Sequence, residues 1–565
     1  MMEQTSLGHE CRLLCIQGTG SGKSVLYQTL AAHYRSVTIY VSPLLTLGAD
    51  QVNKIMQKTR LLGNTIVPIH LDAVQSDDDM AYVTSLMTSV NPQCSVLVFT
   101  SPQTITNKFP HFVASVADHV SFVVVDELHM FNAFGRSFRK EFQALKHHLF
   151  LVVKTSVPIL FLTASCNKQI HASFERMIGV KITHLDWPDA VAIQNRRVSL
   201  FSHYSQKPMA KVSNRIQEMM TDPSSRDKCI VYSNIRKRVL EIQEKLGDVF
   251  DGSDLLHQFE VLSIHGQLTK EEKTSYTQMF LDPTHPDDED IRVLCCTSGV
   301  GNVGLDSPDI RSVFRMEFPP SIIDFVQESG RAGRVSTPDP ERFSYHVFYS
   351  IDSFVYLFQR SMDPDNEIID NTYREEEVQN LFEVGRMLVL QEECFYVTIE
   401  KHLGNPQVPV ELLRIQNCGR LCPYCRDDVD SRVIPAFDRR GMSQVLFHMF
   451  NPPPSNITIN KTRDAWALDV LVREIRAYPN STWLILQSKV KGGIAPDAIK
   501  RILFCLLLKG ITKLTFNTEI KKATFSLAHS TTHVARLAIH EEVHWHGITL
   551  KESTSGHFIY ETENY

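Results

Sequence analysis

Asp126 and Glu127 follow directly on an apolar, β-branched run, Phe122-Val123-Val124-Val125. Such a run reads as a strand buried on both faces of a parallel sheet. Open α/β sheets bind ligands beyond the carboxyl ends of their strands. A carboxylate at that point suits Mg²⁺, which takes oxygen ligands, and a second one can position or deprotonate a water. Beyond them Phe131, Phe134 and Phe138 are interleaved with Arg136 and Arg139. Ring faces and guanidinium planes together suit unstacked nucleic-acid bases. On its own, the segment is equally consistent with an acidic strand end and a core-packing loop.

A second constellation decides between these. Arg12 to Ile16 reads as a strand, followed by Gln17-Gly18-Thr19-Gly20-Ser21-Gly22-Lys23-Ser24 and a helix through Tyr34. Thr19, Gly20 and Gly22 lie where backbone N–H groups close around phosphate oxygens, and the helix N-terminus adds positive potential. Lys23 is placed to reach the β- and γ-phosphates of a nucleotide and Ser24 to ligate Mg²⁺. Gln17 stands where the G-x-x-x-x-G-K-[ST] pattern has its first glycine. Two further strand ends carry small hydroxyl residues, Ser42 before Pro43 and Thr100 before Ser101-Pro102. Such residues bind phosphodiester oxygens without reading sequence, although a plain Ser/Thr-Pro turn has the same composition.

The elements that must hold these groups alternate strand and helix. Strands are expected at Thr38–Val41, Ser95–Phe99 and Pro158–Leu162, the last ending in Thr163-Ala164-Ser165. This is the pattern of a doubly wound parallel sheet. A second α/β unit starts near Arg196, with strands at Cys229–Ser233, Val261–Ile264 and Val293–Cys296 and a helix over Arg236–Leu246. Its last strand enters a Gly-rich stretch, Thr297–Asp306, in which Gly304 and Asp306 are candidate nucleotide contacts. Gln327-Glu328-Ser329-Gly330-Arg331-Ala332-Gly333-Arg334 then sets two arginines three apart. Beside a phosphate loop, they are candidate arginine fingers from the second unit.

At 565 residues the chain is expected to hold three or four domains. Its 43% hydrophobic and 22% charged residues describe a globular chain, and no apolar run is long enough to span a bilayer. The opening MMEQTSLGHE lacks a basic region and an apolar signal core, so the expected location is the nucleus of a eukaryote or otherwise the cytoplasm. A net charge of −6 confines any nucleic-acid surface to a local groove. Cys394, Cys418, Cys422 and Cys425 form C-x₂₃-C-x₃-C-x₂-C, a spacing that suits a closed, structural tetrahedral Zn²⁺ site. Asn451-Pro-Pro-Pro-Ser455 reads as a linker. Beyond it a helix over Ala495–Leu508 and paired strands at Lys513–Phe516 and Thr524–Leu527 fit a winged helix. His529, His533, His540, His544 and His546 show no ligand spacing.

In order, these pieces resemble the RecQ-like family of superfamily 2 DNA helicases, from about Gly8 to Cys425. TGSGKSVLYQ at Thr19–Gln28, SPLLTLGADQV at Ser42–Val52 and QESGRAGR at Gln327–Arg334 are similar to the family's motifs. The most specific match is a DExH box running straight into an aromatic-rich loop that ends in Phe-Arg, as Asp126–Arg139 does. The resemblance implies an α/β fold of two tandem RecA-like domains with ATP between them, over 1–192 and 193–350. It implies a helical zinc-binding subdomain at 351–430, a linker at 431–462 and a winged-helix domain at 463–565. Lys23 and Ser24 would bind phosphate and Mg²⁺, Asp126 would bind Mg²⁺ and Glu127 would activate water. His129 and Gln327 would couple nucleotide state to domain closure, and Arg331 and Arg334 would stabilise developing charge. Ser42, Pro43, Thr100, Phe134, Arg136, Phe138 and Arg139 would contact DNA, single-stranded or as a forked or structured duplex.

The sequence departs from the family at four points. Phe134 stands where the family usually has Trp, and Asn302 replaces a usual glycine. Thr163-Ala164-Ser165 is a variant third motif, and the chain begins too late to contain the family's upstream adenine-reading glutamine motif. The implied activity is an ATP-dependent 3′–5′ DNA helicase. An RNA helicase, a nucleic-acid-stimulated ATPase without unwinding, and a DNA-binding relic that has lost turnover fit the same motifs.

Overall fold

The structure is a computed structural model. It describes residues 11–16, 23–42, 51–52, 54–56, 66–89, 95–128, 144–163, 166, 168–179, 181–185, 198–205, 208–220 and 227–252. It further describes 259–281, 290–297, 305, 307–333, 342–363, 371–403, 418–426, 468–477, 496–508, 512–517, 522–527, 544–545, 548–552 and 558–560.

The first unit is built on strands β1 (Arg12–Ile16), β2 (Ser36–Val41), β3 (Ile66–His70), β4 (Ser95–Thr100), β5 (Val120–Val125), β6 (Ile159–Thr163) and β7 (Thr183–Leu185). They form one seven-stranded sheet in the order β3-β4-β2-β5-β6-β1-β7. Every pairing is parallel. β4 and β6 are buried along their whole length and β5 nearly so, which is why they read as unbroken apolar runs rather than alternating ones. Helices α1 (Lys23–Tyr34), α2 (Asp77–Thr88), α3 (Phe112–Val116) and α4 (Lys168–Ile178) supply the crossovers that parallel pairing requires. β3 and β7, outside the strands expected from sequence, are the two edges.

The second unit contains β8 (Ser199–Tyr204), β9 (Lys228–Ser233), β10 (Phe259–Ile264), β11 (Asp290–Thr297), β12 (Ile310–Arg315) and β13 (Ser344–Tyr349). They make a six-stranded, all-parallel sheet in the order β10-β11-β9-β12-β13-β8. Its helices are α5 (Pro208–Met219), α6 (Arg236–Asp251), α7 (Lys270–Leu281) and α8 (Ile322–Ser329); α6 runs beyond the expected Leu246. Two parallel sheets flanked by helices are the tandem architecture expected above.

α9 (Ile351–Met362), α10 (Asn371–Gly385) and α11 (Phe395–His402) follow. Towards the C-terminus come α12 (Leu468–Ala477), α13 (Pro496–Leu508) and an antiparallel pair, β14 (Thr512–Asn517) with β15 (Lys522–Leu527). α13 docks tightly on the helices after the second sheet. Lys500 Nζ bonds Asp352 of α9 at 2.7 Å and reaches Asp469 of α12 at 3.2 Å. A Cβ on Gly385 would come within 2.9 Å of Leu508 Cδ2 and 3.0 Å of Phe354 Cε2. The linker expected at 431–462 lies outside the described residues. Among the described residues no helix is long and apolar enough to cross a membrane.

α8 is fixed by a buried polar network. Arg315 at the end of β12 and Glu328 on α8 pair at 2.9 Å, and both side chains are fully buried. Tyr345 Oη donates to the other Glu328 oxygen at 2.7 Å, and Arg315 also donates to Asn234 Oδ1 and to the Phe318 carbonyl. Removing one partner of such a pair strands a charge away from water and costs about 3–5 kcal/mol. Glu328→Ala is therefore expected to lower the unfolding free energy by about that much. Tyr345→Phe, which leaves the ion pair intact, is expected to cost only about 1–2 kcal/mol. Urea denaturation followed by circular dichroism checks both; equal, small losses would mean that the network carries little of the fold.

Candidate nucleotide site and metal centre

Parallel register brings the chemistry of the first unit to one edge. Ile16 at the end of β1 lies opposite Thr163 of β6, Val125 opposite Phe161, and Val41 opposite both Val125 and Thr100. The residues that follow these strands therefore leave the sheet together. Lys23 and Ser24 open α1, at the positive end of its helix dipole.

Asp126 continues the ladder, its N–H donating to the Val41 carbonyl at 2.9 Å. The side chain is 6% exposed. Oδ1 accepts from the Glu127 N–H at 2.8 Å and Oδ2 accepts from the Tyr40 hydroxyl. Burial pushes its carboxyl up to about 6, helped by the neighbouring Glu127 charge and opposed by Lys23, Tyr40 and the Glu127 N–H. The Lys23 charge likewise opposes the rise that burial gives the Cys15 thiol. At Glu127 the backbone turns out of the sheet at φ +54°. A side-chain-bearing residue in that left-handed region stores about 1–3 kcal/mol of strain. Leu128 then anchors the turn, its N–H bonded to the Leu162 carbonyl at 3.1 Å.

Several expected contacts, Thr19, Gly20, Gly22, Pro43, His129, Phe134, Arg136, Phe138, Arg139, Gly304, Asp306 and Arg334, lie outside the described residues. Ser42 and Thr100 are each 3% exposed, and the Ser42 N–H donates to the Thr100 carbonyl at 2.9 Å, tying the ends of β2 and β4. Beside them Ser101 Oγ donates to Asp72 Oδ1 at 2.6 Å, and the Thr104 hydroxyl donates to the same oxygen. Asp72 escaped sequence reading because it sits in a short turn after β3 with no motif around it.

In the second unit Gln327 is 8% exposed and its amide Nε2 has no partner among the described residues. Arg331 is equally buried and turns into the domain, donating to the Leu305 carbonyl at 3.3 Å. Gly333 follows at φ +69°, where an added Cβ would meet Phe343 and Val198 at 3.4 Å. Glycine permits that turn without steric cost.

The four expected cysteines converge. Cys394 precedes α11, and Gly419 and Arg420, at φ +48° and +71°, turn the chain between Cys418 and Cys422. The four sulfurs lie within 4.8 Å of one another, and Cys422 Sγ is 3.8 Å from Cys394 Sγ. Mutual hydrogen bonding among the sulfurs pulls the Cys418 thiol down and pushes the Cys394 and Cys422 thiols up. Four closely grouped sulfurs are a donor set for Zn²⁺. The cluster is fastened to β8: the Leu200 N–H donates to the Leu421 carbonyl at 2.7 Å, and Tyr396 Oη donates to the Val198 carbonyl at 2.8 Å. Arg426 donates to the Leu200 carbonyl and lies 4.2 Å from the Phe201 ring centre.

Residues 2–173 match the DEAD/DEAH box helicase family model and residues 211–336 match the helicase conserved C-terminal domain. The ATP-dependent DNA helicase RecQ of Pasteurella multocida is 26% identical over 342 residues, 60% of this chain and 48% of that protein. The ATP-dependent DNA helicase Q1 of Mus musculus is 24% identical over 448 residues, 76% of this chain and 59% of that one. The chain spans about half the length of the bacterial relatives it matches. Among solved structures, the DEAD-box helicase Mss116 aligns with a TM-score of 0.47 and 15% identity, over 72% of this chain and 86% of that one.

On α11, six residues beyond Cys394, Glu400 is 2% exposed, and burial alone pushes its carboxyl from 4.5 up to about 7. The folded chain thus holds this proton more tightly than the unfolded chain does. Stability is full below about pH 4.5 and is lost as pH rises towards 7. Glu400→Gln removes that loss. The variant is expected to match the natural chain near pH 5 and to exceed it above pH 7 by up to about 3 kcal/mol. Urea denaturation across that range checks this, and a pH-independent difference would contradict it.

Proposed function

We propose, for a chain that belongs to the RecQ-like family of superfamily 2 helicases, that it is an ATP-dependent DNA helicase translocating 3′–5′. The observation that carries this reading is the register that sets the end of β1, which leads in sequence to Lys23 and Ser24, one strand away from the end of β5, which leads to Asp126 and Glu127. Lys23 and the N-terminus of α1 receive the ATP phosphates. Ser24 and Asp126 offer the oxygens that Mg²⁺ prefers, and each Asp126 oxygen keeps a further lone pair beyond its protein donor. When bound, the ion neutralises charge that builds on the transferred phosphoryl group. Glu127, turned out of the sheet, orients and deprotonates the attacking water.

The second unit contributes Gln327, Arg331 and Arg334. The bond from Arg331 to the Leu305 carbonyl favours a positioning role for Arg331 and leaves Arg334 as the finger on the γ-phosphate. Such a finger is worth on the order of 10³–10⁵ in rate. His129 relays nucleotide state to the loop in which Phe134, Arg136, Phe138 and Arg139 meet single-stranded DNA. Ser42, Pro43 and Thr100 serve backbone phosphates. The four cysteines hold a structural Zn²⁺, and 463–565 is a winged helix in which α13 precedes the β14–β15 hairpin.

Two measurements test this reading. Steady-state ATP hydrolysis is expected to rise with single-stranded DNA, to respond less to RNA and to fall at least a hundredfold in Lys23→Ala. A folded protein without stimulated turnover would leave only a DNA-binding relic, and stronger stimulation by RNA would reassign the substrate. Elemental analysis is expected to find one zinc ion per chain, lost together with thermal stability in Cys422→Ser. A metal-free natural chain that is equally stable would remove the zinc assignment.

A further inference from the structure

Tyr40 stands in β2, level with Val124 of β5 and Phe99 of β4. It is 1% exposed. Its ring lies 4.6 Å from that of Tyr27 on α1 and 4.9 Å from that of Phe99. The residue is therefore clamped between the phosphate-loop helix and the sheet, in an apolar layer with Leu97, Phe122 and Val124. Phenylalanine would fill the same space without carrying a hydroxyl away from water, a cost that needs a hydrogen bond to offset it. That bond runs to Asp126 Oδ2. Since Oδ1 takes the Glu127 N–H at 2.8 Å, the carboxylate is gripped from two directions and its rotation is fixed. The grip reaches further, because Tyr27 Oη donates to Gln51 Oε1 at 3.0 Å, in the segment expected to contact DNA.

We propose that Tyr40 is a positioning residue for the reaction: its hydroxyl locks the orientation of the Asp126 carboxylate for the magnesium ion that arrives with ATP. The proposal rests on the ATPase reading above. Partners that orient a metal-binding carboxylate commonly change metal affinity or activity by about 10–100-fold when removed.

The test is Tyr40→Phe in the full chain, which keeps ring and volume. Binding of a fluorescent methylanthraniloyl-ATP is measured with Mg²⁺ and with EDTA, and DNA-stimulated hydrolysis is titrated with Mg²⁺ at saturating ATP. The variant is expected to need about tenfold more Mg²⁺ for half-maximal turnover. It should bind the nucleotide more weakly with Mg²⁺ and equally in EDTA. Equal loss with and without Mg²⁺ would mean a structural role only and would overturn the proposal, as would an unchanged Mg²⁺ titration. If the natural chain binds Mg²⁺ and nucleotide together without hydrolysing ATP, the motor reading falls, and the binding arm still decides the role of Tyr40. If it binds neither, both fall.

Discussion

β6 lies between β1 and β5, and its parallel pairing decides which side chains meet. Ile159 to Thr163 take β1 on one side and β5 on the other, so that the residues after Ile16 and after Val125 leave the sheet at the same level. A slip of one residue on either side would exchange the two buried faces of the strand and unpack both layers against it. The apolar residues of β6 forbid that slip, since all of them are buried. This register sets the end of β1, ahead of Lys23 in the sequence, one strand away from the end of β5, ahead of Asp126. The strain at Glu127 is tolerable for the same reason: the Leu128 N–H on the Leu162 carbonyl and the Asp126 N–H on the Val41 carbonyl hold both sides of the turn.

The second unit holds its charges differently. There the proposed nucleotide contacts Gln327 and Arg331 lie on α8 and in the turn after it, not in a row of strand ends. A helix can roll on a sheet, and Glu328 resists this by carrying one carboxylate oxygen to Arg315 and the other to Tyr345. Arg331 extends the restraint by reaching across to Leu305. On the proposed reading, α8 and Arg331 would have their direction set before nucleotide binds. Preorganisation of this kind is where most electrostatic stabilisation of a transition state originates.

The strands readable from sequence were those buried on both faces, such as VVV before Asp126 and CIVYS in β9. β3 (IVPIH) is partly exposed and interrupted by proline, and β8 (SLFSHY) and β13 (SYHVFY) mix polar and aromatic residues. Their apolar signal is diluted, so that only pairing with neighbours identifies them. The cysteine cluster was legible because thiols at close spacing have few other uses. Asp126 was legible as a candidate ligand, but its bond to Tyr40 joins residues 86 positions apart and leaves no local trace. Arg331 shows the converse. Its place in the motif is plain, yet spacing cannot say that its side chain turns inward.

Among the described residues β8 is the last strand of its sheet, with no strand on its other side. The Leu421 carbonyl and the Arg426 guanidinium take up the N–H and C=O of Leu200 there. A bare row of such groups is a template on which a second chain can add a strand. The loop drawn tight by Cys418, Cys422 and Cys425 therefore acts as a stopper against self-association. Loss of its fastening would bare that edge.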